Sequence, residues 1–424
     1  MGVRSTPAGT VTGVSRDPAA PALRSIVVLG LLSTFGPLSL DLYLPALPEL
    51  ADDLASTPSA AQLTITACLV GLALGQLVAG PLSDRFGRRR PLLVGLVVYL
   101  LASLACAFAP SATVLVLLRL VQGLAGAAGL VVARAVARDL YEGRQLVLFF
   151  ARLTLISGLA PVVAPVLGGQ LSRVMSWRGI FVVLAGFGAL LLVAGLLQRE
   201  TLPAERRSTG GLTTTLRGFR VLLHDRFFVG AALSAGLAGA SMFAYIAGAT
   251  FVLQRIHAMS AQGFSLVFGL NSVGIMAMSQ LGARLSRRRP PASVLALGLA
   301  LNLLGATALA VTVLLDLGLG FLVPSLFVMV SALGLVFPTA TALAMADYPE
   351  QAGTASSLLG LGQFVFGALV APLVGIAGEE TAVPLGVVAL SVSVLASVAF
   401  LTLVRPAVRA RNQEEVLPST PPPA

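Results

Sequence analysis

Long apolar runs, interrupted by short polar segments, follow one another along almost the whole chain of 424 residues. A helix needs about 20 apolar residues to cross the hydrocarbon core of a bilayer. On that criterion the pattern predicts twelve spans, numbered here in chain order. They lie at 25–46, 59–82, 91–109, 112–137, 146–170, 178–198, 228–253, 264–283, 291–315, 319–345, 354–377 and 382–404. The predicted fold class is an all-α integral membrane protein.

The polar segments divide these spans into two halves. The longest of them, 199–227, follows span 6 and is predicted to be a cytoplasmic linker. We therefore expect one six-helix bundle over 23–198 and another over 228–404, a design in which transporters commonly place a site between the halves. The polar ends, 1–22 and 405–424, are predicted to be disordered cytoplasmic tails.

Composition narrows the class of protein. Hydrophobic residues make up 56% of the chain and charged residues 11%, which leaves too few polar side chains to cover a soluble protein of this size. The chain contains no lysine, which excludes a Walker A loop and ATP hydrolysis by that route. Its two cysteines and two histidines show no metal-binding spacing. We therefore expect no enzyme activity, no metal and no cofactor.

The distribution of arginine predicts the orientation. All 28 basic residues are arginines, and the net charge is +10. With the N-terminus inside, 22 of them fall in segments assigned to the cytoplasm, three in outer loops and three within spans. This bias is what the positive-inside rule predicts when both termini are cytoplasmic. The net charge is thus a topology signal, and we expect no nucleic-acid partner.

Several motifs resemble those of the major facilitator superfamily. GPLSDRFGRRR at 80–90 is similar to the signature between helices 2 and 3, and Arg119 with LVQG at 120–123 to the helix-4 signature. SGLAPVVAPVLGG at 157–169 resembles the helix-5 motif of drug:proton antiporters. Further segments resemble the Bcr/CflA branch of bicyclomycin and chloramphenicol/florfenicol exporters. These are DLYLPALP at 41–48, GQLVAGPLSDRFGRR at 75–89, ARDLY at 137–141, FAYIAGATFVLQ at 243–254 and FSLVFGLNSVG at 264–274.

The resemblance implies a twelve-helix exporter of the inner membrane. Such a protein moves a small drug-like molecule out in exchange for protons, driven by the proton gradient and not by ATP, while its halves rock around a central cavity. Its expected partners are the substrate, protons and the lipid bilayer, and we expect a monomer. An exporter of a sugar, nucleobase or endogenous natural product fits the same motifs. A passive channel is disfavoured, because a gate motif and a kinked helix 5 indicate alternating access.

Asp41 and Arg119 are the leading candidates for proton coupling. Asp41 is expected in the outer third of span 1, where a charge costs roughly 2.5–3.5 kcal/mol and should face a wet cavity or a partner. Burial would favour its protonated form, which suits a proton carrier; a helix-end cap before Pro45 is the alternative. The resemblance ties Arg119 to proton coupling, and we hypothesise that it shares a cavity with Asp41. A structural cation bound to backbone carbonyls is its alternative.

Two groups of small and charged residues carry the other motifs. The loop between spans 2 and 3 is expected to form a cytoplasmic gate that opens during alternating access, in which glycine permits a tight turn and aspartate accepts from arginine. The gate residues are Gly80, Asp84, Arg85, Gly87, Arg88 and Arg89. Prolines and glycines predict a kinked, closely packed span 5, which the resemblance implies seals the cavity against proton leak. These are Gly158, Pro161, Pro165, Gly168 and Gly169.

Polar and aromatic side chains within the spans are candidates for the substrate cavity, since a drug pocket combines apolar walls with a few hydrogen-bonding groups. They are Tyr43, Gln122, Tyr245 and Asn271, with Gln62 and Gln76 as further polar groups. Hydrogen bonding between helices is the alternative for each. Arg134 and Arg152, near the ends of spans 4 and 5, are expected to snorkel to the interface.

Overall fold

A computed structural model describes residues 23–141, 163–207, 212–348, 352–375 and 381–416, with single positions at 149, 156, 160, 161 and 378. All regular secondary structure in these ranges is helical. Ten helices there are long and apolar enough to cross a membrane, and a bent pair in span 1 makes an eleventh. Only the end of span 5, at 163–171, is described as a continuous helix.

The helix bounds follow the apolar runs closely. In the first half, spans 2, 3, 4 and 6 are Pro58–Phe86, Arg89–Ala107, Ala112–Leu140 and Trp177–Leu196. In the second half, spans 7, 8, 9 and 11 are Arg226–Phe251, Ala261–Leu285, Pro291–Leu314 and Ala352–Val374. Span 10 consists of Leu319–Ser331 and Leu333–Met345, and span 12 begins as Val383–Ala399. Short π-helical segments extend spans 7 and 12, at Val252–Ile256 and Phe400–Val404.

Span 1 is not the continuous helix that its apolar run predicts. It consists of Leu23–Ser33, Phe35–Asp41, a 3-10 turn at Leu44–Ala46 and a last helix at Leu47–Asp53. Proline lacks an N–H and interrupts the helical hydrogen bonds, and this stretch contains Pro37, Pro45 and Pro48. The helix axis bends by 48° between Val27–Ser33 and Leu38–Asp53, and Asp41 is the last residue of the short helix before the 3-10 turn.

The predicted disorder from residue 405 onward is wrong for Arg405–Val416, which form a helix that continues span 12. Pro406 lies in the first turn, where proline is tolerated. The following residues are mostly alanine, arginine, glutamine and glutamate, which are good helix formers. The linker also contains a helix, Leu212–His224. The predicted tail at 1–22 lies outside the described residues.

Each half has its own apolar core, and a third core joins them. The core of the first half consists of buried residues that lie between Leu29 and Leu191 in the sequence. The core of the second half consists of buried residues that lie between Leu222 and Val404. The third runs from Leu40 to Val392 and draws on both halves. Within the first half, spans 2 and 4 pack backbone against backbone, since a Cβ on Gly71 or Gly123 would clash with a carbonyl oxygen of the other helix. Small residues permit this approach.

The two ends of the bundle differ in charge and in contacts. We call the end that carries Arg85, Arg138 and Arg284 the arginine end, and the end that carries Asp52 and Arg255 the opposite end. At the opposite end the halves touch. Arg255 pairs with Asp52 and donates to the Pro48 carbonyl at 3.2 Å, while Gln254 donates to the Pro45 carbonyl at 3.2 Å. Span 7 is thereby held on span 1.

Candidate functional site

Asp41 is buried where span 1 meets the second half. It is 4% exposed and forms no hydrogen bond or ion pair with any other described residue. It is close enough to Tyr245 of span 7 for an electrostatic interaction with the phenol. The alternative of a helix-end cap gains no support, since the cap after Asp41 is a backbone bond from Leu42 to Leu38.

Tyr245 and Asn271 bring further unpaired polar atoms to this position. The Tyr245 hydroxyl and both polar atoms of the Asn271 amide are buried and have no hydrogen-bond partner among the described residues. The two side chains are neighbours, but their atoms form no hydrogen bond of normal geometry. The Tyr245 ring stacks on Phe268 of span 8, with the ring centres 5.2 Å apart. We call Asp41, Tyr245 and Asn271 the Asp41 cluster, and its members come from both halves.

Arg119 lies in a different place, inside the first half. It is fully buried, and its Nη1 donates to Gln122 Oε1 at 2.5 Å while Nε donates to the Thr64 carbonyl at 3.4 Å. The guanidinium lies over the Tyr43 ring at 4.5 Å and over the Phe181 ring at 5.6 Å. Its Nη2 is buried and has no hydrogen-bond partner in the described part of the chain. The structure thus groups Arg119 with Tyr43 and Gln122.

No ion pair joins Asp41 to Arg119 among the described residues. Among the described residues, the contacts of the Arg119 guanidinium are the Gln122 amide oxygen, the Thr64 carbonyl and the rings of Tyr43 and Phe181. Since a buried cation without a carboxylate is expensive, the aromatic rings and amide oxygen around it partly replace water. The hypothesis that Asp41 and Arg119 face one cavity stays a prediction. In this conformation no ion pair or hydrogen bond between described residues couples them directly.

The gate motif forms an ion-pair network at the arginine end, which we call the latch. Arg88 Nη1 donates to Asp84 at 2.5 Å and to the Ser83 hydroxyl at 2.9 Å. Its Nε donates to Asp139, at the end of span 4, at 2.9 Å. Asp139 also accepts from the Thr201 hydroxyl at 3.0 Å. The latch therefore ties spans 2 and 4 to the segment after span 6.

Glu200 completes the latch and was not predicted from the sequence. Its carboxylate accepts from the backbone N–H groups of Arg88 at 2.8 Å and Arg89 at 3.1 Å, and so caps the start of span 3. It also accepts from the N–H groups of Thr201 and Leu202. Burial raises the pKa of the Glu200 carboxyl, but these four donors outweigh it and lower the pKa.

Gly87 and Gly80 have different places in the gate. Gly87 has a φ of +86°, and a Cβ there would come within 2.5 Å of Glu200, so the loop requires glycine both for its conformation and for its space. Gly80 faces open space and lines a cavity of about 430 Å³ at the arginine end. Arg85 lies over the Phe86 ring at 5.2 Å, and Arg89 donates to the Leu196 carbonyl at 2.9 Å.

The described part of span 5 packs against both halves. A Cβ on Gly168 would clash with the Leu42 carbonyl, next to Asp41, and one on Gly169 would clash with Ser265 of span 8. The Pro161 carbonyl accepts from Ser272 at 3.1 Å, and that of Gly169 from Gln262 at 2.9 Å. Pro165 lies in the helical segment 163–171, whereas Gly158 lies outside the described residues.

Two helical halves with a buried carboxylate between them and a latch at one end define a membrane transporter. The sequence model of the family described as the Major Facilitator Superfamily matches residues 29–372 of this chain. An uncharacterised MFS-type transporter of Bacillus subtilis, YdgK, is 40% identical over 89% of this chain and 94% of its own. A bicyclomycin resistance protein homolog of Haemophilus influenzae is 33% identical over 85% and 91% of the two chains.

A chloramphenicol resistance protein of Pseudomonas aeruginosa is 30% identical over 87% of this chain and 88% of its own. Among solved structures, that of the nucleoside transporter NupG superposes with a TM-score of 0.73 at 15% identity, covering 89% of this chain and 98% of the other. The chain belongs to the major facilitator superfamily. This confirms the predicted twelve-helix fold class, the resemblance to the Bcr/CflA branch and the expectation of a multi-pass membrane transporter rather than an enzyme.

Proposed function

We propose that the protein exports small drug-like molecules across the bacterial inner membrane in exchange for protons. It works as a monomer, without a cofactor and without ATP. The arginine end faces the cytoplasm, together with both termini, in keeping with the positive-inside rule. The names of the bicyclomycin and chloramphenicol resistance relatives support a drug-like substrate.

The observation that carries the proposal is that Asp41, buried between the halves, forms no ion pair or hydrogen bond with any other described residue. A carboxylate buried without a cation or donor is strongly disfavoured, so its neutral, protonated form is favoured in this conformation. When the halves separate at the opposite end, water reaches the Asp41 cluster and hydration stabilises the charged form of the Asp41 carboxylate. Asp41 therefore binds a proton in one conformation and releases it in another, which is what proton exchange requires.

The unpaired atoms of Tyr245 and Asn271 support a substrate role for the same cluster. Each buried donor or acceptor without a partner costs about 1–3 kcal/mol. A substrate that supplies both donors and acceptors recovers this cost, and it contacts both halves when it does so. Binding and protonation thus act on one group of side chains, which couples them.

The test is a susceptibility panel in a pump-deficient bacterial host, headed by phenicols and bicyclomycin. We expect the wild type to raise the resistance of the host to at least one compound and Asp41→Asn to abolish this. Asp316→Asn is the matched control, because Asp316 lies in an exposed loop. The proposal fails if no compound is exported or if Asp41→Asn protects the host as well as the wild type at equal expression.

A further inference from the structure

At the opposite end, a buried polar side chain crosses from the first half into the second. Gln62 lies in the second turn of span 2, about 6 Å along the helix axis from its first residue, Pro58. It is 2% exposed, and its Nε2 donates to the Ala247 carbonyl of span 7 at 3.1 Å. The contacts of Gln254 and Arg255 at this end involve partly buried or exposed side chains. Gln62 therefore makes a deeper contact between the halves than either of them.

The second half provides a socket for the Gln62 side chain. Gly375 directly follows span 11, and a Cβ there would clash with Gln62 Oε1. Next to Ala247, a Cβ on Gly248 would clash with Val374 of span 11. Glycine at these two positions lets spans 7 and 11 approach each other and leaves room for the amide. We call the Ala247 carbonyl and Gly375 the socket.

The surroundings of the amide are neutral. Its Oε1 is buried and has no hydrogen-bond partner among the described residues. Gln62 lines an enclosed cavity of about 10 Å³, whose other walls include Phe251, Val374, Thr381 and Leu385. A cavity of this size holds about one water molecule. Since no ionisable side chain of the described residues lines it, a charge at position 62 would be poorly solvated while the halves are in contact.

We propose that Gln62 is a positioning residue for alternating access, whose amide occupies the socket when the opposite end is closed and leaves it when that end opens. In the socket, the amide fixes span 2 of the first half against spans 7 and 11 of the second. Because the amide is neutral, water can replace its hydrogen bond at a small net cost when the halves separate. The inference concerns the motion of the halves and does not depend on which molecule is exported.

The first test makes position 62 titratable. Gln62→Glu nearly keeps the shape of the side chain, and its protonated form can donate to the Ala247 carbonyl as the amide does. Its charged form is disfavoured in the neutral socket but is hydrated once the halves separate. The closed-to-open ratio of this variant should therefore fall about tenfold or more from about pH 5 to about pH 8. All samples carry Asp41→Asn, so that titration of Asp41 does not contribute.

The readout is the distance distribution between spin labels at Phe108→Cys and Leu317→Cys, exposed positions of the two halves at the opposite end. The chain lacks its two native cysteines, and the purified full-length protein is held in nanodiscs without substrate. The short-distance and long-distance populations give the closed-to-open ratio. The parent with Gln62 should keep the same ratio over this pH range.

The second test fills the socket. Gly375→Ala should displace the amide and lower the closed-to-open ratio about tenfold or more, as overpacking of a buried site does. Combined with Gln62→Ala, the same substitution should have a smaller effect, because only the Ser59 hydroxyl then remains close to the new Cβ. Gly362→Ala is the matched control, a glycine of span 11 with open space around it. It should stay within about twofold of the parent.

A ratio that falls with rising pH only in Gln62→Glu, together with a Gly375→Ala effect that depends on Gln62, supports the proposal. The proposal is overturned if the ratio in Gln62→Glu does not change with pH, since position 62 then has the same surroundings in both conformations. It is also overturned if Gly375→Ala shifts the ratio equally with and without the Gln62 side chain, or no more than Gly362→Ala does. This second test decides if the glutamate variant fails to fold.

Discussion

Removing Arg255 should shift the protein toward a conformation that is open at the opposite end. Its guanidinium joins span 7 to span 1 through the Asp52 carboxylate and the Pro48 carbonyl. The side chains of Arg255 and Asp52 are 34% and 63% exposed, so the ion pair contributes only about 0.2–1 kcal/mol. The hydrogen bond to the carbonyl adds about 0.5–1.5 kcal/mol. Together these contacts contribute about 0.7–2.5 kcal/mol, so Arg255→Ala should shift the closed-to-open ratio by about 3- to 70-fold.

The first half offers a closely matched control for this substitution. Arg178 pairs with Asp53 and donates to the Ala109 carbonyl at 3.3 Å, and the ion-pair side chains are 38% and 48% exposed. The contacts are of the same kind, exposure and end of the molecule, but all of them lie within one half. Arg178→Ala should lower the stability of the fold without parting the halves.

The assay is a distance distribution between spin labels on exposed positions of the two halves. Phe108→Cys and Leu317→Cys place one label on each half at the opposite end, and both native residues are exposed. The native cysteines are buried and can be replaced by alanine. We expect Arg255→Ala to add a longer-distance population that Arg178→Ala lacks. Identical distributions for the two variants would refute the idea that Arg255 holds the halves together.

Three further predictions concern span 5, the latch and span 4. Gly168→Ala should reduce export strongly, because its Cβ clashes with a span 1 carbonyl, whereas Gly186→Ala, with open space around it, should leave export unchanged in the same resistance assay. Glu200→Gln should remove an acid-sensitive part of stability: the lowered pKa of Glu200 means that its contribution is full above the ordinary glutamate pKa and is lost as pH falls through its own. Thermal unfolding at neutral pH and below pH ~4 checks this, and an unchanged acid sensitivity in the variant would contradict it. Arg119→Lys should lower the export rate by about tenfold or more, since lysine cannot replace both guanidinium hydrogen bonds and the stacking on Tyr43; transport in proteoliposomes measures it, and wild-type rates would contradict the assignment.

The spans could be predicted from the sequence because burial in lipid demands long apolar runs, whatever the tertiary contacts. The break in span 1 could not be predicted from apolarity alone, although Pro37, Pro45 and Pro48 were the available signal. The break after Asp41 matters, because it leaves that residue at the end of a short helix, buried where span 1 meets the second half.

The sequence predicted most residues of the candidate site, but it did not predict which of them lie together. Asp41 and Arg119 stand out because charges within spans are rare, but their separation depends on helix rotation, which the sequence does not express. Glu200 was missed because the partners that join it to the latch are backbone N–H groups more than a hundred residues earlier, and such partners leave no side-chain pattern. For Asp139, the ARDLY segment was a signal, but only the position of Arg88 shows what the aspartate binds.

The central claim is that Asp41 carries the proton exchanged for substrate. The direct measurement is the pH inside proteoliposomes, followed with a trapped dye, when an exported compound such as chloramphenicol is added without a membrane potential. We predict a substrate-dependent proton flux for the wild type and Asp316→Asn, and none for Asp41→Asn, although that variant still binds the compound. A flux of wild-type size in Asp41→Asn would contradict the account.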